Sequence, residues 1–283
     1  MPSWFLSFIQ ELLALRGKGA DENPLPLTRF ILTIWKRSHL SDDWANEISA
    51  FDAVSLKIVD RTRPHEIDLA MGMAGQIASR GVRVHGWGWH HCTDREETLE
   101  EVEEAVRRCE ELGATGYHWN AERIWSEGSD PAKMGLLFAT TFKNRLPDVT
   151  LFANCFRSMV NSDMISAMDF YEPMLYGTRA TTIARKFDRE FSRGITIPEK
   201  MAVMVGTGRM DGDRDDRAWG YVDDQGDTPG LASLVKANRP RWVNFFRGGS
   251  IHGEDMMNRG NAINPALPEQ VRAIRDELVR GVA

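Results

Sequence analysis

Short apolar runs rich in β-branched and aromatic residues alternate with segments of helical periodicity along most of the chain. The apolar runs predict buried strands, and the segments whose apolar residues recur every three to four positions predict helices that cover them. The predicted strands span residues 30–35, 53–59, 82–89, 115–121, 149–154, 170–176, 201–205 and 242–246. The predicted helices span residues 64–79, 95–112, 131–145, 181–193 and 268–279. Strict alternation of this kind is typical of a parallel sheet with crossover helices.

The number of these strand–helix units points to a closed barrel. Eight units between residues 27 and 283 have the size of a (β/α)8 barrel, for which about 250 residues are usual. An open doubly wound sheet fits less well, because no glycine-rich phosphate loop follows the first strand. We therefore predict an α/β fold in which residues 27–283 form a single (β/α)8 TIM barrel domain.

A helical extension is predicted before the barrel, with an amphipathic helix over residues 1–16 and a polar linker over residues 17–26. A secretory signal peptide is disfavoured, because the stretch lacks a basic start and carries Glu11 among its apolar residues. No apolar run reaches the roughly 20 residues of a membrane span. We expect a chain that is cytoplasmic as synthesised, or released or carried in a phage particle, with the helix docked on the barrel, a partner or a membrane surface. The apolar face of this helix consists of Trp4, Phe5, Phe8, Ile9, Leu12 and Leu13.

Charge and cysteine content narrow the function classes. The 283 residues include 35 Lys and Arg against 41 Asp and Glu, a net charge of −6, and no basic stripe that would attract nucleic acid recurs on a predicted helix. Cys92, Cys109 and Cys155 have neither metal-type spacing nor the even number of a disulfide framework. The sequence predicts a globular protein that folds without oxidation, has no cofactor and does not bind nucleic acid.

Polar and aromatic residues collect where the predicted strands end, which is the end that carries the active site in (β/α)8 barrels. Aromatic faces gathered around carboxylates suit sugar rings, which stack on indole while their hydroxyls form hydrogen bonds. The alternative, that Trp87, Trp119 and Trp242 are simply barrel core, stays open. The polar and aromatic strand-end residues are Lys57, Asp60, Trp87, Trp89, His90, His91, His118, Asn120, Glu122, Asn154, Glu172, Tyr176 and Arg247.

The most informative stretch is ATGYHWNAE on the predicted fourth strand. Because alternate residues of a strand share a face, His118, Asn120 and Glu122 form one row, opposite to Tyr117 and Trp119. Three polar side chains on the interior face of a barrel cost too much to bury unless they are hydrogen-bonded or functional. We predict that this row faces the barrel mouth and forms the site.

The spacing Gly116-x-His118-x-Asn120-x-Glu122 resembles the fourth-strand signature Gly-x-Asp-x-Asp-x-Glu of the chitinase family. It resembles more closely the Asn-x-Glu variant of the cytosolic-type endo-β-N-acetylglucosaminidases. The resemblance implies that Glu122 is the general acid and that Asn120 orients the substrate's 2-acetamido group as that group attacks the anomeric carbon. The sequence MLYG on the sixth strand is similar to the chitinase Met-x-Tyr-Asp, which implies that Tyr176 also contacts the acetamido group.

The chain departs from the chitinase pattern at three acidic positions, which here are His118, Asn120 and Gly177. A chitinase proper is therefore disfavoured. A second resemblance is to the barrel lysozymes of the Chalaropsis type, whose second and third strands are similar to residues 52–57 and 84–90 and whose fourth strand ends in Asp-x-Glu. Both resemblances imply a glycosidase.

Glycoside cleavage needs a proton donor for the leaving oxygen and stabilisation of the positive charge at the anomeric carbon. Glu122 can stay protonated at neutral pH if Trp119 and Trp125 crowd it. A retaining enzyme without substrate assistance also needs a nucleophilic carboxylate about 5 Å away, for which Glu172 is the best placed, with Asp60 behind it. The alternative is that Glu122 is only an ion-pair partner of Arg123, Arg157 or Arg247.

A metal-dependent hydrolase is a further alternative, because imidazoles at barrel strand ends can bind zinc. The first strand lacks the His-x-His pair of barrel amidohydrolases, so we expect His90 and His118 to bind sugar hydroxyls or a site carboxylate instead. The aspartate-rich loop over residues 207–230 is not an EF-hand, because the required glycine and final glutamate are missing. This loop either lines a sugar subsite through Trp219 and Tyr221 or is a solvated acidic flap. The histidines considered are His85, His90, His91, His118 and His252.

The sequence thus predicts a glycoside hydrolase that cleaves an N-acetylhexosamine-containing polysaccharide, with bacterial cell-wall peptidoglycan as the leading substrate. A carbohydrate-binding or structural barrel without turnover is the alternative from another class. The predicted catalytic residues are Glu122, Asn120, Tyr176 and Glu172. The predicted substrate-binding residues are Trp87, Trp89, His90, His118, Asp60, Asn154, Trp219 and Arg247.

Overall fold

The structure is a computed structural model, and it describes most of the predicted barrel. The described residues are 28–35, 43–128, 130–155, 161–175, 184–186, 188–190, 198–206, 230–247 and 267–280. The predicted N-terminal helix and linker and the loop over residues 207–229 lie outside this set.

Eight parallel strands in the described ranges form one sheet with the order β6-β5-β4-β3-β2-β1-β8-β7. A two-residue strand, Arg63–Pro64, also pairs antiparallel with the end of β2. The two ends of the sheet meet through the parallel bridges Tyr171–Met201 and Met174–Met204. The sheet therefore closes into the predicted (β/α)8 barrel. The strands are β1 (Arg29–Ile34), β2 (Ala53–Asp60), β3 (Arg83–His90), β4 (Gly116–Ala121), β5 (Thr150–Cys155), β6 (Phe170–Tyr171), β7 (Ala202–Gly206) and β8 (Trp242–Arg247).

Each predicted strand is present, and only the sixth is much shorter than predicted. It was expected over residues 170–176, but its continuous ladder ends at Tyr171. Pro173 follows and has no N–H to donate. Beyond it, the backbone N–H of Leu175 donates to the carbonyl of Met204 at 2.7 Å, which keeps this segment in the barrel wall.

The two helices whose bounds match the prediction carry clear end signals. α3 begins after Asp94, whose side chain accepts from the backbone N–H of Glu97, and it ends at Gly113 in the left-handed conformation. α5 begins with Pro131 after Asp130, a second N-cap. The predicted helix 64–79 begins later, because residues 63–64 pair with β2 instead. The helices are α1 (Trp44–Glu47), α2 (Ile67–Ala78), α3 (Arg95–Leu112), α4 (Arg123–Ser126), α5 (Pro131–Arg145), α6 (Ser162–Ala167), α7 (Leu231–Asn238) and α8 (Leu267–Arg280), with 3-10 turns at Ile48–Ala50 and Pro198–Lys200.

The short helices α1, α4, α6 and α7 were not predicted, because four to eight residues are too few to show a helical period. Of the predicted helix 181–193, residues 184–186 and 188–190 are helical and the others lie outside the description. No helix in the described ranges is long and apolar enough to cross a membrane.

The barrel interior is apolar at the amino ends of the strands. Ile31, Ala53, Phe152, Ala202 and Trp242 form a buried cluster there, which is the floor of the barrel. Outside the barrel, a much larger core packs the strands on the helices. Trp242 lies in the floor and Trp119 in the outer core. Both are therefore packing residues, which agrees with the alternative that these tryptophans belong to the core. Above the floor, the inner face carries polar side chains as well as aromatic ones.

Candidate active site

A buried carboxylate occupies the centre of the barrel above the floor. Glu172 is fully buried, and among the described residues three side-chain donors surround it. His118 Nδ1 and Asn154 Nδ2 lie 2.9 and 3.1 Å from Oε2, and Asn244 Nδ2 lies 3.1 Å from Oε1. Thr33 extends the network by donating to Asn244 Oδ1 at 2.7 Å. We call these five residues and His85, described next, the polar column.

His85 continues the polar column on the other side of His118. Its Nδ1 lies 3.2 Å from His118 Nε2. His118 thus bridges the two groups, with Nδ1 facing the carboxylate of Glu172 and Nε2 facing His85. Complete burial, and then the nearby charge of His118, hold the pKa of His85 well below its ordinary value of 6.5. Gly116 leaves the space for this ring, since a Cβ at that position would lie 2.7 Å from it.

The predicted acid lies at the carboxyl end of β4, beside Asn120. Asn120 Nδ2 donates to Glu122 Oε1 at 3.2 Å, and both residues are half-buried. Asn120 Oδ1 is itself buried and has no hydrogen-bond partner within the described part of the chain. On the opposite face of β4, Trp119 packs edge-on against Trp125 with ring centroids 5.3 Å apart. The two indoles thus belong to the outer core.

A cationic and aromatic group lies at the ends of β1 and β2. Lys57 Nζ is 5.3 Å from the ring centroids of both Trp35 and Trp87, and it is 2.8 Å from Asp60 Oδ2. A bulge between residues 57 and 59 brings this pair together. Phe246 stacks on Trp35 and packs edge-on to Trp87. Trp87 is buried in this cluster, whereas the Asp60 side chain keeps 34% of its surface exposed.

Trp89 is half-buried on the inner face of β3, where it is the register partner of both Asp60 and Asn120. Its ring packs edge-on to His91 at 4.7 Å. Trp89 and Asp60 are therefore brought to the carboxyl ends of the strands near Asn120, as a substrate-binding role requires.

His90 is not brought to this end of the barrel interior. It follows Trp89 on the strand and so faces outward, where it is fully buried. Its Nδ1 is 3.0 Å from Glu101 on α3, and its Nε2 is 2.7 Å from the hydroxyl of Tyr117. Burial raises the pKa of that phenol well above its usual value, so Tyr117 keeps its hydroxyl proton. The expected contact of His90 with sugar hydroxyls does not fit this position.

Two groups of side chains between β3 and α3 have ligand atoms close enough to hold a metal ion. They are His90, Cys92 and Glu101, and His91, Glu97 and Glu101. Their carboxylates already accept hydrogen bonds: Glu101 from Cys92 Sγ and the His91 backbone, and Glu97 from Arg61. Burial also raises the pKa of the Cys92 thiol well above its usual value, which opposes the thiolate that a metal needs. The arrangement is a hydrogen-bonded network suited to hold α3 on the barrel.

Several predicted site residues lie outside the described residues. They are Tyr176 and Trp219, and of Arg247 only the backbone is described. Of the arginines considered as ion-pair partners of Glu122, Arg157 lies outside the described residues and only the backbones of Arg123 and Arg247 are described, so this alternative stays open. Conversely, sequence reasoning missed Asn244, Thr33 and Trp35. Alternation along β1 and β8 was the available signal, since it places all three on the inner face.

No protein-family model matches the sequence, and a comparison with curated proteins finds no match. Solved structures do resemble the fold. The spore cortex-lytic enzyme SleL of Bacillus megaterium superposes with a TM-score of 0.60 at 9% identity, over 90% of this chain and 75% of that one. A chitinase from Bacteroides thetaiotaomicron gives 0.61 at 10% identity over 89% and 96% of the two chains. The chitinase RmChi1 from Rhizomucor miehei gives 0.59 at 10% identity over 88% and 100%. At these identities the likeness shows that the chain has the (β/α)8 barrel fold that these enzymes have, and the activity must be argued from the site.

Proposed function

We propose that this protein is a glycoside hydrolase that cleaves an N-acetylhexosamine-containing polysaccharide, with Glu122 as the general acid. The observation that carries the proposal is the Asn120–Glu122 pair at the carboxyl end of β4. Asn120 donates to the carboxyl group at 3.2 Å and keeps a buried, unpaired oxygen. An amide with a free acceptor beside a carboxyl group is suited to bind an acetamido N–H next to the proton donor.

In the proposed reaction, Glu122 transfers its proton to the glycosidic oxygen while the bond from that oxygen to the anomeric carbon breaks. The carbonyl oxygen of the substrate's acetamido group bonds to the same carbon, and Asn120 Oδ1 accepts the acetamido N–H. Water then attacks the anomeric carbon, Glu122 takes its proton, and the acetamido group is released. Tyr176 remains a predicted third contact of this group, by its resemblance to the chitinase sixth strand.

Substrate assistance is favoured over a carboxylate nucleophile by the surroundings of Glu172. A nucleophile must have an open oxygen facing the anomeric carbon, whereas each oxygen of Glu172 already accepts from a buried side chain. We therefore assign Glu172 to holding the polar column. Asp60 and Trp89 are assigned to substrate binding.

Peptidoglycan is the proposed polymer, and chitin is the competing one. Both contain N-acetylated amino sugars, and the structures that this fold resembles include a spore cortex-lytic enzyme as well as chitinases. Peptidoglycan lies outside the cytoplasm, so the protein would have to be released or carried to it, as a phage lysin is.

The test is the Glu122→Gln variant, assayed on dye-labelled peptidoglycan and on tetra-N-acetylchitotetraose. We expect a loss of at least about a hundredfold in kcat/KM, within the usual contribution of general acid catalysis. Glu100→Gln, an exposed carboxylate on α3, is the matched control and should keep full activity. Unchanged turnover in Glu122→Gln would refute the assignment. Wild-type binding without turnover would establish the inert carbohydrate-binding alternative, and activity lost to a chelator and restored by zinc would establish the metal hydrolase.

A further inference from the structure

Two buried amide oxygens on neighbouring strands lack a hydrogen-bond partner within the described residues. They are Oδ1 of Asn120 on β4 and Oδ1 of Asn154 on β5. The two residues are register partners, and adjacent strands lie about 4.8 Å apart. Asn154 is 1% exposed. Buried polar atoms in native proteins almost always have a partner, so an unpaired pair of this kind indicates a place for a ligand or an ordered water.

A carboxyl group fixes the orientation of each amide. Asn120 Nδ2 donates to Glu122, and Asn154 Nδ2 donates to the Oε2 and the main-chain oxygen of Glu172 at 3.1 and 3.2 Å. Turning the Asn154 amide around would set its oxygen against the oxygens of Glu172, and the Asn120 amide keeps its orientation when Glu122 carries its proton on Oε2, the oxygen that Asn120 does not contact. The two unpaired oxygens are therefore fixed acceptors. A ligand that pairs with both must offer two hydrogen-bond donors and no negative charge at this place.

We infer that Asn154 is a specificity-determining residue, which accepts the C3 hydroxyl of the sugar whose C2 acetamido N–H binds Asn120. This inference rests on the proposed function. The N–H on C2 and the hydroxyl on C3 are donors on neighbouring ring carbons, as Asn120 and Asn154 are acceptors on neighbouring strands.

The inference selects one of the two glycosidic bonds of peptidoglycan. N-acetylglucosamine has a free C3 hydroxyl, whereas N-acetylmuramic acid carries an ether there and would leave Asn154 Oδ1 unpaired. A buried acceptor without a partner disfavours binding by roughly ten- to a hundredfold. The bond cleaved is therefore the one on the reducing side of N-acetylglucosamine.

The first experiment uses the wild-type protein on purified peptidoglycan. The products are reduced with borohydride, and their ends are identified by mass spectrometry. N-acetylglucosaminitol ends are expected. Muramitol ends would overturn the inference and leave the hydrolase proposal intact. If neither peptidoglycan nor tetra-N-acetylchitotetraose is cleaved, the proposed function itself fails and the inference falls with it.

The second experiment compares Asn154→Ser with Asn244→Ser on tetra-N-acetylchitotetraose. Both changes replace an amide that donates to Glu172, but Asn244 Oδ1 is already satisfied by Thr33. We expect kcat/KM to fall about ten- to a hundredfold in Asn154→Ser, mainly through KM, and by a much smaller factor in Asn244→Ser at a similar loss of Tm. Equal losses in both variants would overturn the inference, because they would mean that Asn154 only supports the polar column or binds a water. If Asn154→Ser does not fold, the end-group analysis of the wild type still decides.

Discussion

Replacing Glu172 by glutamine distinguishes a buried structural anion from a catalytic nucleophile. Glutamine keeps the shape of the side chain but offers one oxygen where the carboxylate offers two. If that oxygen stays at the Oε2 position, it still accepts from His118 and Asn154. The new NH2 group then faces the NH2 of Asn244, which now donates to Oε1 at 3.1 Å. Asn244 cannot turn around freely, because Thr33 donates to its oxygen at 2.7 Å.

The expected loss of stability follows from the number of hydrogen bonds that the variant loses. One hydrogen bond to a charged group is lost, worth about 1.5–3 kcal/mol, and removal of a buried charge offsets part of it. We expect Glu172→Gln to lower the free energy of unfolding by about 1–3 kcal/mol, which corresponds to a Tm lower by roughly 2–12 °C. Glu172→Leu leaves His118 and Asn244 without the carboxylate acceptor, at about 1–3 kcal/mol each, while Asn154 still donates to the main-chain oxygen of residue 172. This variant should be much less stable than Glu172→Gln.

The assay combines thermal unfolding with turnover of tetra-N-acetylchitotetraose. In the structural interpretation, Glu172→Gln keeps kcat/KM within about tenfold of the wild type, because no reacting bond is removed. Loss of a nucleophile would instead cost more than about a thousandfold. A Glu172→Gln protein with wild-type Tm and no turnover, together with azide rescue of Glu172→Ala, would refute the reasoning and restore Glu172 as the nucleophile.

Three further predictions concern stability. The depressed pKa of His85 keeps this buried imidazole neutral at pH values where the same histidine in the unfolded chain takes up a proton. The free energy of unfolding should therefore fall as the pH drops below 6.5, the ordinary pKa of histidine, by up to about 1.4 kcal/mol per pH unit. His85→Phe should flatten this slope in urea titrations, and equal slopes in the two proteins would contradict the argument. Gly88→Ala should lower the free energy of unfolding by about 1–3 kcal/mol, because its Cβ would lie 2.7 Å from a core histidine nitrogen. Gly72→Ala, at an exposed position of α2 with nothing within 4 Å of its Cβ, should raise it by about 0.5–1 kcal/mol. The opposite order of Tm values would refute the packing argument. Asp94→Ala removes the N-cap of α3 and should lower the free energy of unfolding by about 0.5–2 kcal/mol, and an unchanged urea midpoint would show that the cap adds no stability.

The alternation of side chains along a single strand predicts which face of the sheet each site residue occupies. Alternation along β4 places His118 and Asn120 on the inner face, opposite to Trp119, and the structure has them so. The same rule applied to β3 puts His90 on the face opposite to Trp87 and Trp89. His90 was nevertheless expected to bind substrate because of its residue type, and the structure places it against α3 instead.

The sequence by itself determined the alternation of strands and helices, the closed barrel that follows from eight such units, and the ends of α3 and α5. These features depend on periodicity and capping, which act over a few neighbouring residues. Only the tertiary structure decided that Glu172 is enclosed by donors. Its partners His118, Asn154 and Asn244 come from three other strands, up to 72 residues away. Hydrogen bonds of this kind exist only once the sheet has closed and brought those inner faces together, so no pattern within one segment records them.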